Sequence, residues 1–140
     1  HRFNRIVLAG IGRNIFERTD EGTKAIVAGL ELVAGGGDPS GLENTVRLFT
    51  QYAGQPGNDL EALTAVMKRP ESAAITPDGC ARVTCPVLVV VGDRDFVHPG
   101  DELAAAFPNG RCETLRNVDH FATTESFGFF DAALEFLDAI

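Results

Sequence analysis

Pro86-Val87-Leu88-Val89-Val90-Val91-Gly92 is the segment that most narrows what this chain can fold into. Five consecutive apolar residues, four of them Val, stand between a proline and a glycine. β-Branched side chains are stiff at χ1 and fit a pleated surface. A run without alternation is apolar on both faces, the pattern of a strand covered on either side by helices in a parallel sheet. Ile6-Val7-Leu8-Ala9, ending at Gly10 and Gly12, has the same character.

Between these two strands the periodicity is helical. Thr19 and Asp20 supply start chemistry for a helix with Ile26, Leu30, Val33 and Ala34 on one face, stopped by Gly35-Gly36-Gly37. Ser40 and Glu43 form an S-x-x-E capping box ahead of Leu42, Val46, Phe49 and Ala53. A third helix starts near Asn58, shows Leu60, Leu63 and Met67, and ends by Pro70. After the Val-rich strand, a short helix is predicted from about Pro99 to Phe107, with Asp101 and Glu102 where the dipole favours them. Pro108-Asn109-Gly110 reads as a turn, Cys112 and Leu115 mark a shorter strand nearer an edge, and a last helix places Phe127, Phe130, Leu134 and Leu137 on its apolar face. The succession predicts an α/β chain, a parallel sheet covered by helices, without internal repeats.

Composition excludes some function classes. The 140 residues suffice for one domain. A formal net charge of −8, with Lys and Arg scattered, leaves no basic face for nucleic acid or an anionic membrane. No apolar run approaches the roughly 20 residues of a membrane span, and no signal peptide is evident, although the chain starts at His1 rather than Met. Cys80, Cys85 and Cys112 are odd in number and irregularly spaced, so they read as small buried thiols in a reducing, cytoplasmic setting. Cys80 and Cys85 are not spaced as a CxxC pair, and no histidine pair accompanies them. No metal or organic cofactor is expected.

Functional groups of open parallel sheets gather past the carboxyl ends of strands. Gly92-Asp93-Arg94-Asp95-Phe96-Val97-His98-Pro99 follows one strand and Asn117-Val118-Asp119-His120 the next. The 25 residues from Asp95 to His120 (120 − 95) hold one helix and one strand, which lets both side chains meet above adjacent strands. A carboxylate beside an imidazole fixes its tautomer and stabilises the imidazolium, as a general base for a hydroxyl nucleophile requires. Asp93 and Asp119 read as turn formers, and His98 as a loop residue. Gly10, Gly12 and Arg13 close the first strand where a site wall would stand, and the apolar residues Phe49, Tyr52, Leu63 and Met67 read as helix packing.

The strand P-V-L-V-V-V-G, then G-x-x-D-x-x-x-P, a helix, a strand and a D-H turn, resembles the C-terminal pattern of the α/β-hydrolase superfamily. The resemblance spans essentially all 140 residues. It implies that Asp95 is the acid and His120 the base of a catalytic triad. It also implies that residues 1–12 hold the core strand after the nucleophile helix, 13–80 a helical cap region, and 81–140 the C-terminal core. The superfamily's serine lies in a G-x-S-x-G elbow between strand and helix. Ser40 reads as a helix cap, Ser72 as part of a loop and Ser126 as the start of the last helix, so none fits that context. The nucleophile and the oxyanion-hole loop are expected before residue 1.

The expected function is therefore part of a serine hydrolase for carboxylic esters or related acyl bonds of a small-molecule substrate. The alternatives are a non-catalytic binding or assembly module of the same fold and an inactive fragment. Three parallel strands leave a sheet edge exposed, on which a missing N-terminal half or a second copy of the chain would pair.

Overall fold

The computed structural model describes residues 3–17, 20–70 and 74–139. His1, Thr19 and Ser72, three residues weighed above, lie outside them. The chain divides into two compact units, one of His1–Arg18 with Ala74–Ile140 and one of Thr19–Ala73.

The first unit is built on a three-stranded parallel sheet: β1 (Ile6–Ala9), β2 (Val87–Gly92) and β3 (Gly110–Leu115), in that order across the sheet. Ile6 aligns with Val87, and Val87 with Gly110. Every residue of β2 is buried, as an unbroken Val run in a central strand demands. β1 is half-buried, and β3 alternates towards solvent; both are outer strands among the described residues. Gly110 opens β3 rather than belonging to a turn, so β3 is as long as β2.

Each face of the sheet has its own core. Val89 packs with Leu103 and Ala104 of the short helix α5 (Asp101–Ala105), joined by Leu8, Ile11, Ile15, Phe16, Phe107 and Cys112. On the opposite face Leu88, Val90 and Leu115 meet Val7, Val118, Phe129, Ala132 and Phe136, the last three from α6 (Phe127–Phe136). Arg5 fastens the start of β1 to the end of α6: it donates to the Phe136 carbonyl at 2.7 Å and pairs with Asp138. That pairing holds the Asp138 carboxyl below the usual carboxylate range. Leu103 is 1% exposed. Leu103→Ala is expected to cost about 2–5 kcal/mol, read by calorimetric unfolding, because the cavity it leaves is walled by a rigid strand.

The last helix corrects the expected orientation. Phe127, Phe130, Leu134 and Leu137 are its exposed side, and Phe129, Ala132, Ala133 and Phe136 face the core. The outward set is spaced i, i+3, i+7, i+10 and the inward set i, i+3, i+4, i+7, both helical spacings, so periodicity alone does not choose between them. Two alanines in the inward set let the helix axis approach β2 closely. Ser126, accepting from the Phe129 amide at 3.2 Å, fixes where the helix begins.

The second unit packs α1 (Asp20–Ala34) against α2 (Asn44–Ala53) and α3 (Leu60–Lys68), around Leu30, Val46, Thr50 and Ala53. Leu60, Leu63 and Met67 are half-buried at the expected spacing. The capping box does not form. Ser40 sits in a 3-10 turn capped by Asp38, which accepts its amide at 2.9 Å and its hydroxyl at 2.7 Å. Glu43 itself caps α2, accepting from the Thr45 and Val46 amides. Pro39 starts the short turn, which keeps Ser40 out of reach of an N3 amide. Before β2, Pro77–Cys80 forms a one-turn helix, α4, capped by Thr76.

Candidate functional site

The loops after β2 and β3 are stitched together by short bonds. Asp93 accepts from the Asn117 amide at 2.7 Å, Arg94 donates to the Asn117 side chain at 2.8 Å, and the Arg94 amide donates to the Val118 carbonyl at 3.1 Å. Asn117 takes a positive φ of 60°, which its short polar side chain tolerates. Asp93 is thus a turn former, as its position suggests. Asp119 turns the chain the same way, accepting from the Ala122 amide at 3.0 Å while its carbonyl receives the Thr123 hydroxyl.

This stitching brings Asp95 and His120 together. Nδ1 of His120 lies 3.1 Å from both Oδ1 and Oδ2 of Asp95, whose side chain is fully buried while that of His120 is 24% exposed. Oδ1 also accepts the Val97 amide at 3.0 Å, which ties the acid to its own loop. A buried carboxylate needs such donors. With Nδ1 donating to the carboxylate, the lone pair of the imidazole is at Nε2, which can take a proton from a hydroxyl. His98 is exposed in the loop, its amide bonded to the Asp95 carbonyl.

Gly10, at the carboxyl end of β1, lies beneath the imidazole. A Cβ there would stand 3.5 Å from Cε1 of His120, and the residue has a φ of +64°. Backbone geometry alone accounts for the glycine in the sequence, but its place under the ring belongs to the site. Gly12 crosses the Asp95 loop backbone to backbone, since a Cβ would meet the Val97 carbonyl oxygen at 2.0 Å. Two further residues escape sequence reasoning: Phe96 stacks on His120 with ring centroids 4.4 Å apart, and Phe121 meets it edge-on at 5.4 Å. Each stands next in sequence to a member of the pair, which is the only signal that marks them.

Ser126 caps α6, and its hydroxyl donates to the Thr123 carbonyl at 3.1 Å; Ser40 is bound to Asp38. Among the described residues no group of three His, Cys, Asp or Glu is arranged to hold a metal ion, and no helix is long and apolar enough to cross a membrane. A cavity of about 290 Å³ lies on the α6 side of the sheet between Arg111, Glu113, Asp131 and Glu135, apart from Asp95 and His120. The three cysteines are free thiols, Cys80 buried and the others half-buried. Burial raises the Cys80 thiol above its ordinary value, and burial with the nearby Asp101 carboxylate raises Cys112. Both hold less thiolate near neutral pH. Iodoacetamide at pH 8 is therefore expected to alkylate them several-fold more slowly than free cysteine, read by peptide mass mapping.

No protein-family model matches the chain, and no curated protein shows significant sequence similarity to it. Solved structures do resemble it. BpoC from Mycobacterium tuberculosis H37Rv is 20% identical, with a TM-score of 0.60 over 97% of this chain and 58% of that one. Est816, an N-acyl homoserine lactone degrading enzyme, is 19% identical, with a TM-score of 0.57 over 94% of this chain and 57% of that one. The 2-hydroxy-6-oxo-6-phenylhexa-2,4-dienoate hydrolase BphD from Rhodococcus sp. strain RHA1 is 20% identical, with a TM-score of 0.52 over 98% and 56%. The fold is the C-terminal part of an α/β-hydrolase fold. The chain spans less than three fifths of the length of each of these structures.

Proposed function

We propose that this chain is part of a serine hydrolase acting on carboxylic esters or related acyl bonds, and that the serine lies outside residues 1–140. The observation that carries the reading is Nδ1 of His120 at 3.1 Å from both oxygens of the buried Asp95, past the ends of adjacent parallel strands. In this mechanism His120 takes the serine proton as the hydroxyl attacks the acyl carbon, then returns it to the leaving group. Asp95 holds the tautomer and balances the imidazolium charge. The reaction needs no metal or organic cofactor. Residues 13–80 are read as the helical cap region of such an enzyme, the substrate is a small acyl compound, and the free thiols suit a reducing cytoplasm. The lactone degrading enzyme and the dienoate hydrolase among the similar structures fit this chemical class.

The test is to offer p-nitrophenyl acetate and butyrate to the natural polypeptide that contains these residues. Hydrolysis without added metal, abolished by phenylmethylsulfonyl fluoride, is the expected result. A folded polypeptide that binds but does not turn over either ester favours the second reading, a non-catalytic module. That reading draws on Ser40 and Ser126, whose hydroxyls are both engaged in local caps and turns.

The open edge of β1 is proposed to pair with the rest of such a sheet, or with β1 of a second copy. The exposed Phe127, Phe130, Leu134 and Leu137 add apolar surface that favours association. The isolated 140-residue chain is expected to elute as a dimer or larger in size-exclusion chromatography with light scattering. A monodisperse monomer at high concentration contradicts this.

A further inference from the structure

The Asp95–His120 hydrogen bond does not by itself aim the imidazole. Nδ1 is equidistant, at 3.1 Å, from the two carboxylate oxygens, so the bond is shared between them. Rotation about the Cβ–Cγ bond of histidine is intrinsically broad. Ring contacts restrain it here. Phe96 lies against the imidazole at 4.4 Å between centroids with planes tilted by 35°. Phe121 meets the same ring at 5.4 Å and 88°, edge to face. The floor is Gly10, which carries no side chain to wedge the ring upward. Phe96 is 53% exposed, so its place is not dictated by core burial.

We propose that Phe96 is a positioning residue: its ring, with Phe121 at the edge, fixes the plane of the His120 imidazole so that Nε2 keeps one direction. The proposal rests on the reading of Asp95 and His120 as an acid–base pair.

The experiment is NMR on the histidine-labelled natural polypeptide that contains these residues, comparing Phe96→Ala, Phe96→Leu, Phe96→Tyr and the exposed control Phe130→Ala. Two quantities are read: the ring-current shift of the His120 carbon-bound protons and the exchange rate of its Nδ1 proton. In Phe96→Ala and Phe96→Leu the upfield shift is expected to vanish and the exchange to speed up by about threefold to tenfold, the range an aromatic pair supplies. Phe96→Tyr restores both, and Phe130→Ala changes neither. Unchanged exchange in Phe96→Ala and Phe96→Leu overturns the positioning role while leaving the acid–base pair intact. A parent chain whose Nδ1 proton is not protected, or is equally protected in Asp95→Asn, overturns the pair and the positioning role together.

Discussion

Asp95→Asn is expected to lower ester turnover of the serine-bearing protein by about 10⁴-fold while leaving it folded. The Asn carbonyl oxygen can replace Oδ1 in accepting the Val97 amide, which at 3.0 Å keeps the loop closed. That choice puts the amide nitrogen in the place of Oδ2, where it offers a hydrogen to Nδ1 of His120 instead of receiving one. The imidazole then adopts the tautomer with its proton on Nε2, and the atom that should accept the serine proton no longer can. The imidazolium also loses its counter-charge in a buried site. Asp93→Asn is the control, since Asp93 serves the loop by accepting the Asn117 amide and an Asn carbonyl can do the same. Its kcat/KM is expected within about threefold of the parent, as a surface turn substitution preserves the site. A loss below tenfold in Asp95→Asn means that the carboxylate does not orient the base.

Gly92→Ala is expected to destabilise the sheet unit by about 3 kcal/mol or more, lowering its Tm by roughly 10–20 °C. A Cβ at Gly92 would stand 2.0 Å from the Val118 carbonyl oxygen and 2.6 Å from its carbon. The obstacle is backbone, so no rotamer change relieves it. The same Val118 carbonyl accepts the Arg94 amide, and Val118 packs on Leu88, Val90 and Leu115. Pushing it away therefore opens the core on the α6 side and separates the loop of Asp95 from that of His120. Gly22→Ala, on α1 where a Cβ meets nothing within 4 Å, should instead be neutral or stabilising by about 0.5 kcal/mol. Differential scanning calorimetry of the two variants separates steric conflict from loss of glycine as such.

The sheet was legible because its signal is local. A run of Val bounded by Pro86 and Gly92 has few alternatives, and the two loops that follow β2 and β3 sit where parallel sheets collect polar groups. The spacing of Asp95 and His120 needed only one intervening helix and strand to bring them into one place. The face of α6 was not legible. FGFFDAALEF is apolar nearly all round, and the decision rests on Ala132 and Ala133 permitting close approach, a tertiary matter. The cap of α2 failed for a different reason: Asp38 and Pro39 compete for the same few residues, and a 3-10 turn takes Ser40 before a helix can. Phe96 and Phe121 gave no signal beyond their neighbours, since a stack across loops 24 residues apart leaves no periodicity.

The central claim is an acid–base pair whose nucleophile lies outside these 140 residues, and labelling tests it most directly. The natural polypeptide containing them is treated with a fluorophosphonate probe, and its intact mass is compared with that of the untreated protein. The account predicts a mass well above 14.9 kDa with a single adduct, mapped to a serine outside this segment and lost in His120→Ala. A polypeptide near 14.9 kDa that takes no adduct would contradict it, leaving Asp95 and His120 paired with no nucleophile to serve.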